Sequence, residues 1–583
     1  MPMIKKENRY LIVILLIILC VYQYGIQKIC GFTLYPDEFG YWASAAKIIG
    51  YDWSEIASLG SYYSFGYSLI LTPILKLFSG AVTAYRAAIA VNMFLMCIST
   101  LLVLKIIQKM CLDIEPVQRV FLSGIAVLYP PWIFYMQTTM AEALLCFLFT
   151  GAFYLLLCFM EKPGVLKAIM LALLFVYMYC VHMRTLAAAL AGTVILFGWG
   201  LSDRSGKKTG RLLLIFLVVL FLSGWIAIRL KEWTISEVFT YAERETLFEN
   251  DYAAQWKKLQ KILTLQGIYP FLQEVLGKLF YLGIASFGIF YWALGCCIKE
   301  SAGLIRRVVK NEIILSKQWG ALFMLFVTVG EVLISSIFMY QVGKVDGLIY
   351  GRYDEFLVPV MIVLGIAAMR KTKFLFPGTL FFGVLTGGIA WMTLNIAERN
   401  SLTILRGYHI AGVSYLIQEE NLNNRIFFRD TWILGFSLML LVCFLVWISR
   451  GRKEREWQMA GILLLEIMAG LQISHHYIYP VNNANFESRT ISETIEKYYV
   501  KDDSITYLDE GNPEFVDFLQ MQLPEKIIHV VKKDKFECNH MIKVDSFGKF
   551  LITCRDTKED ESLSRLYEKK ITANVFCLYY NRE

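Results

Sequence analysis

Apolar runs of about twenty residues recur along almost the whole chain, separated by short polar stretches that are alternately basic and aromatic. A hydrocarbon core about 30 Å thick needs roughly 20 apolar residues per spanning helix. The pattern therefore predicts about thirteen transmembrane helices, the first at Leu11–Ile26. Six more are expected near 85–107, 117–136, 140–160, 165–181, 184–201 and 211–229. The last six are expected near 277–298, 319–340, 355–369, 374–395, 431–449 and 458–479. The first run follows Lys5, Lys6 and Arg9 as a signal peptide would, but no small-x-small site follows it, so an uncleaved span is expected.

Between the runs, charge is sorted by side. One set of short loops holds Lys105, Lys109 and Arg119, then Lys162 and Lys167, then Arg204, Lys207, Lys208 and Arg211. The set continues with Arg306, Arg307 and Lys310, then Arg370, Lys371 and Lys373, then Arg450, Arg452, Lys453 and Arg455. Thirteen spans put all of these on one face, which the positive-inside rule makes cytoplasmic. Long loops at about 30–83 and 231–275, and shorter ones at 341–354 and 396–430, then face outward. Within the first, GYSLILTPILKLF is too short to span and is broken by Pro73, so an interfacial helix is expected.

The pattern changes after the last apolar run. ETIEKYY, PEFVDFLQ and EDESLSRLYEKK read as helices, and SITYL, KIIHVV and FLITC as β-branched strands. The expected organisation is a transmembrane domain over 1–479 and an outward α/β domain over 480–583. No Gly-rich phosphate fingerprint follows any of these strands.

Composition agrees with lipid as solvent. Only 18% of residues are charged and 57% are hydrophobic, against about 25% charged in a soluble globular protein. The net charge of +8 does not mark a nucleic-acid partner, because the basic residues sit in the loops between spans. The thirteen cysteines show no metal-ligand spacing; Cys296–Cys297 is a bare pair, and most others lie in apolar runs and read as small hydrophobes.

The first outer loop carries Asp37-Glu38 among Tyr35, Phe39, Tyr41 and Trp42. Two readings stand. One carboxylate takes a proton from an acceptor hydroxyl while the other positions it, or the pair is an exposed acidic cap on a helix starting near Phe39. Glu331 and Glu466 fall inside predicted spans, where a carboxylate is costly and invites a functional reading. His475-His476 point to different sides of a helix and read with Tyr477 and Tyr479 as an aromatic belt.

An uncleaved first span, then Asp-Glu and YWASA in an outer loop, then YYSFGYSLILTPI and AYRAAIAVNMF, resembles the GT-C glycosyltransferases. The nearest branch contains the bacterial relatives of protein O-mannosyltransferases and the lipid A aminoarabinose transferase. The resemblance covers the N-terminal third well, GRYDEFLVP in part, and the rest in architecture. It implies a polytopic helical protein in a bacterial plasma membrane, with its active face outward. It further implies a polyprenyl-phosphate sugar donor, an inverting displacement, and a lipid, glycan or protein acceptor. Asp37 matches the family's candidate base, with Glu38 beside it. No cofactor is required, although Asp37 and Glu38 leave a divalent metal open.

A lipid-phosphate leaving group calls for positive charge. Arg352, next to Tyr353, is the first candidate for it and Arg184 the second, each with the alternative of an interfacial arginine snorkelling to headgroups. Glu142 would touch the acceptor, orient an arginine, or simply occupy a helix N-terminus. Arg86 is expected to pair with the acidic loop in a structural role. Two other classes stay in view: a lipid-linked glycan flippase or transporter, and an O-antigen-type polymerase or ligase. Against the transporter, no internal repeat and no paired broken helices are visible in the sequence.

Overall fold

A computed structural model of the chain describes residues 2–582 except 34, 112, 203–206, 244–246, 249–251, 311, 313, 341–342, 405–406, 417–422, 451–456, 512–515 and 534–546. Arg204, Arg452, Lys453, Arg455 and Cys538 of the sequence reading lie outside the described residues. The remaining twelve cysteines are all free. Eight helices among the described residues are long and apolar enough to cross a membrane, or nine if one bent pair counts as a single span. The chain is an integral, multi-pass membrane protein.

That measure does not reach thirteen; three of the missing spans are short, and the expected span near 458–479 lies in helix Trp457–Glu487, which is long enough but not among the eight. The expected spans near 117–136, 165–181 and 355–369 are helices of 12, 17 and 14 residues, Pro116–Val127, Val165–Val181 and Val358–Lys371. At 1.5 Å per residue they rise only about 18, 26 and 21 Å. The first of them stops before Pro130, which opens a separate short helix, Pro130–Tyr135.

The expected straight span at 277–298 is corrected. Helices Leu265–Ala285 and Ile289–Val309 meet at 113°. The break holds two consecutive residues in the left-handed region, Phe287 at φ 52° and Gly288 at φ 78°. Ser286 Oγ rebinds the ends, donating to Leu282 O and accepting from Phe290 N at 3.1 Å. Periodicity carries no sign of this, because both arms are apolar. The expected polar loop at 231–275 is corrected as well. Helix Lys207–Val238 runs on into it, Tyr252–Ile262 follows, and Thr264 caps the next helix by accepting from Gly267 N at 3.1 Å.

The first outer segment is helical where expected. Pro36 opens helix Pro36–Ile49, which packs on Ser68–Leu77. The chain between them is pinned at Gly66, whose N–H donates to Cys180 O at 2.8 Å. A Cβ there would lie 2.5 Å from the Cys180 backbone.

The C-terminal segment forms one five-stranded sheet of β1 (Ile505–Asp509), β2 (Ile528–Lys532), β3 (Phe550–Cys554), β4 (Lys569–Ala573) and β5 (Phe576–Tyr580), in the order β2-β1-β3-β5-β4. β1 is parallel to β2 and β3, and β5 is antiparallel to β3 and β4. The helix that precedes it, Trp457–Glu487, continues past position 479 with Pro480 inside it. Asn482 Oδ1 on that helix accepts from Cys30 N and Gly31 N at 2.8 and 3.0 Å. Trp53 Nε1 donates to Pro524 O at 2.8 Å, and Glu55 Oε2 accepts from Val530 N at 2.7 Å. The segment after the first long helix is therefore clamped between the helical body and the sheet.

A buried arginine cluster as candidate active site

Two adjacent acids at the start of helix Pro36–Ile49 have opposite fates. Glu38 is fully buried and both its oxygens are engaged. Oε1 accepts from Thr33 N at 2.9 Å and Thr33 Oγ1 at 2.6 Å. Oε2 accepts from Tyr85 OH at 2.5 Å, Thr139 N at 2.7 Å and Thr139 Oγ1 at 2.8 Å. Burial raises its pKa, and the hydrogen bonds from Thr33, Tyr85 and Thr139 oppose that rise. With no free lone-pair direction and no exposure, Glu38 reaches neither a substrate nor a metal ion in this arrangement; it ties the loop to two helices.

Asp37, one residue earlier, keeps 17% of its side chain exposed and turns toward Arg352. Arg352 Nη2 donates to Asp37 Oδ2 at 2.6 Å, Nε donates to Glu142 Oε1 at 2.7 Å, and Nη1 donates to Tyr350 OH at 3.3 Å. Its guanidinium carbon lies 4.6 Å over the Tyr35 ring, a cation–π distance. Arg184 reaches the same carboxylate, Nη2 to Glu142 Oε1 at 3.2 Å, and its guanidinium sits 4.6 Å over Tyr353. Two arginines and two carboxylates thus form one self-compensated cluster.

Neither arginine snorkels to headgroups: side-chain exposure is 3% for Arg352 and 1% for Arg184. Among the described residues, Arg184 Nε and Nη1 and Glu142 Oε2 have no hydrogen-bond partner. Unsatisfied buried donors on a guanidinium are costly, so this cluster retains unused capacity to bind. His182, beside Arg184, accepts from its backbone N–H through Nδ1 at 3.4 Å. Burial, together with the charges of Arg184 and Arg352, holds His182 well below the usual imidazole pKa and so neutral.

A cavity of about 260 Å³ opens against this cluster, lined by Asp37, Tyr63, His182, Arg352 and Tyr353 among others. Arg184 and Glu142 do not border it and act from behind Arg352 and Tyr353. Arg86 lies elsewhere. It donates to the Ile29 and Gln27 carbonyls at 2.8 and 2.7 Å, which corrects the expected pairing with the loop acids to a backbone clamp. Glu331 and Glu466 are buried but border none of the cavities described, and each leaves one oxygen without a partner among the described residues.

Several charged or titratable wall residues, His182 among them, were not singled out in the sequence. Lys258 and Lys344 line the cavity, as do His409 and Asp346, which pair through Nδ1 and Oδ2 at 2.8 Å. Lys344 and Asp346 share the outer loop of Arg352, so loop membership was the available signal. No group of three or more His, Cys, Asp or Glu side chains suited to a metal ion occurs among the described residues.

No family model and no curated protein matches the sequence. Solved structures do match the fold. ArnT from Cupriavidus metallidurans in the apo state superposes with a TM-score of 0.53 over 98% of both chains, at 12% identity. The same protein bound to undecaprenyl phosphate gives 0.52 over 98% of both chains, again at 12% identity. The chain thus shares its fold with ArnT.

Proposed function

We propose that the chain is a membrane glycosyltransferase that moves a sugar from a polyprenyl-phosphate donor to an acceptor hydroxyl, with inversion and with Asp37 as base. The observation that carries this reading is Arg352 bridging Asp37 and Glu142 at the wall of a cavity. The fold shared with a protein that binds undecaprenyl phosphate supports the donor class. Asp37 Oδ1 accepts no hydrogen bond among the described residues, which leaves an oxygen to take a proton.

In the reaction, the acceptor oxygen gives its proton to Asp37 and bonds to the anomeric carbon. The bond from that carbon to the phosphate oxygen breaks, and its electron pair leaves with the lipid phosphate. Arg352, Lys258 and Lys344 supply positive charge for that group. The phosphate competes with Asp37 for Arg352, so donor binding and release of the base are one exchange. An apolar cleft of about 170 Å³, formed by Tyr252, Trp256, Leu259, Ile334 and Ile337, shares Phe338 with the cavity and suits the polyprenyl chain. Glu142 and Arg184 hold Arg352 in place, and Glu38 holds the turn that presents Asp37. The sorting of basic loops to the opposite face supports an outward orientation for this one.

The test is to supply the purified protein with polyprenyl-phosphate sugars and candidate acceptors. Mass spectrometry should find both free polyprenyl phosphate and sugar on the acceptor. Lipid crossing a bilayer with no transfer from any donor would replace this reading with a flippase.

A further inference from the structure

A second cavity lies away from the arginine cluster. It measures about 380 Å³ and lies at the other end of the helical body. Helix Ser316–Phe338 shows the separation: Lys317 at its start lines this cavity, and Phe338 at its end lines the site cavity. At 1.5 Å per residue the two ends are about 34 Å apart.

The walls are of two kinds. Tyr291, Trp292, Leu364 and Phe382 make an apolar interior, stiffened by the edge-to-face contact of Trp292 with Phe382 at 5.3 Å. Small residues keep it open: a Cβ on Gly295 would meet nothing within 4 Å. The rim carries Lys299, Lys317 and Lys371 against one carboxylate, Glu300. Lys371 is paired with Asp113 at 2.5 Å, whereas Lys299 and Lys317 form no ion pair among the described residues. An apolar slot between helices whose walls carry more lysines than carboxylates matches an amphiphile with an anionic head, and basic pockets between transmembrane helices take phospholipid headgroups on the cytoplasmic side.

We infer that this cavity binds an anionic phospholipid, with the phosphate of the headgroup between Lys299 and Lys317 and an acyl chain along Trp292 and Phe382. It is separate from the sugar-transfer site and does not depend on that assignment. The chemistry it recognises is a phosphate diester joined to an apolar tail, drawn from the leaflet on the basic face.

Native mass spectrometry of the full chain tests this, with phosphatidylglycerol and phosphatidylcholine of identical acyl chains as probes. Wild-type protein should retain phosphatidylglycerol preferentially. K299Q/K317Q should weaken that retention about thirtyfold, the equivalent of about 2 kcal/mol at about 1.4 kcal/mol per tenfold. G295F keeps both lysines and fills the slot, and should lose retention as well. K299R/K317R, which keeps the charge, should retain the lipid. Equal retention of phosphatidylcholine overturns the inference, as does K299Q/K317Q retaining phosphatidylglycerol like wild type. Displacement by millimolar inorganic phosphate would make this a site for the free anion, and retention by G295F would leave only a surface headgroup contact. Either result also overturns it.

Discussion

Arg352 and Asp37, 315 positions apart in sequence, meet at 2.6 Å with the arginine almost fully buried and the aspartate facing a cavity. One member is fixed by Glu142 and Tyr350, while the other keeps an oxygen for solvent or substrate. The pair is therefore asymmetric, and its two halves should fail differently on substitution.

Arg352→Lys keeps the charge but cannot serve Asp37, Glu142 and Tyr350 together. Sugar transfer is expected to fall more than tenfold, with weaker donor binding and a small change in melting temperature. Arg352→Ala should lose more and also destabilise by about 3–5 kcal/mol, because it strips one buried partner from Glu142. Transfer by Arg352→Lys at the wild-type rate would remove the arginine from the chemistry.

Asp37→Asn retains size and removes the proton acceptor. A general base contributes about 10²–10⁴-fold, so transfer should drop by at least a hundredfold while lipid-donor binding is kept or tightened, because the phosphate no longer competes with a carboxylate for Arg352. The assay must follow sugar appearing on the acceptor. Wild-type turnover by the Asn variant would exclude Asp37 as base.

Glu38→Gln turns two hydrogen-bond donors toward groups that themselves donate. The expected loss is about 1–3 kcal/mol of stability, with transfer reduced through the displaced turn. The loss should depend on pH. The folded-state pKa of Glu38 is raised by burial, so its contribution is fullest below the unfolded value of about 4.3. That contribution declines as pH rises through the folded value. Melting curves of wild type and variant from pH 4 to 8 should converge toward high pH; divergence would contradict the raised pKa.

Gly66→Ala places a Cβ where the Cys180 backbone already lies, at 2.5 Å. Overpacking of this kind costs about 1–3 kcal/mol, visible as a lower melting temperature in detergent. Gly164→Ala, where a Cβ meets nothing within 4 Å, is the control and should be neutral.

Sidedness follows from the loop charges. Single cysteines introduced at exposed Thr240 and Asp502 should react with an impermeant thiol reagent in intact cells. Cysteines at Gly164 and Lys310 should react only after permeabilisation. The reverse pattern would turn the proposed active face inward.

The helical class, the spans with strong apolar runs and the C-terminal strands SITYL, KIIHVV and FLITC were legible because each depends on local periodicity. β4 and β5 were not: the helix read over EDESLSRLYEKK ends at Leu566, its last two lysines open β4, and FCLYY sits one short turn beyond. The bend at Phe287–Gly288 was hidden because apolar sequence on both sides looks the same whether straight or folded back. Within the site, Asp37, Glu142, Arg184 and Arg352 could be named singly, as charged residues near the ends of spans. Their convergence could not be read, because contacts such as Arg352–Glu142 join residues 210 positions apart. The divergence of Asp37 from Glu38 was equally hidden, since it depends on Thr33, Tyr85 and Thr139 surrounding only one of them.

Helix Trp457–Glu487 carries the chain from the helical body through Pro480 to Asn482 and beyond, and its 31 residues rise about 46 Å. Asn482, on that helix, is therefore indexed to the helical body by angular phase. One residue inserted before Asn482 would rotate everything beyond it by about 100° and carry the acceptor of Cys30 and Gly31 off its mark. Seven inserted residues would nearly restore the phase but raise Asn482 by about 10 Å. Length variation in this helix is consequently restricted by geometry rather than by chemistry, and the orientation of the first outer loop is inherited from a register set more than 450 residues away.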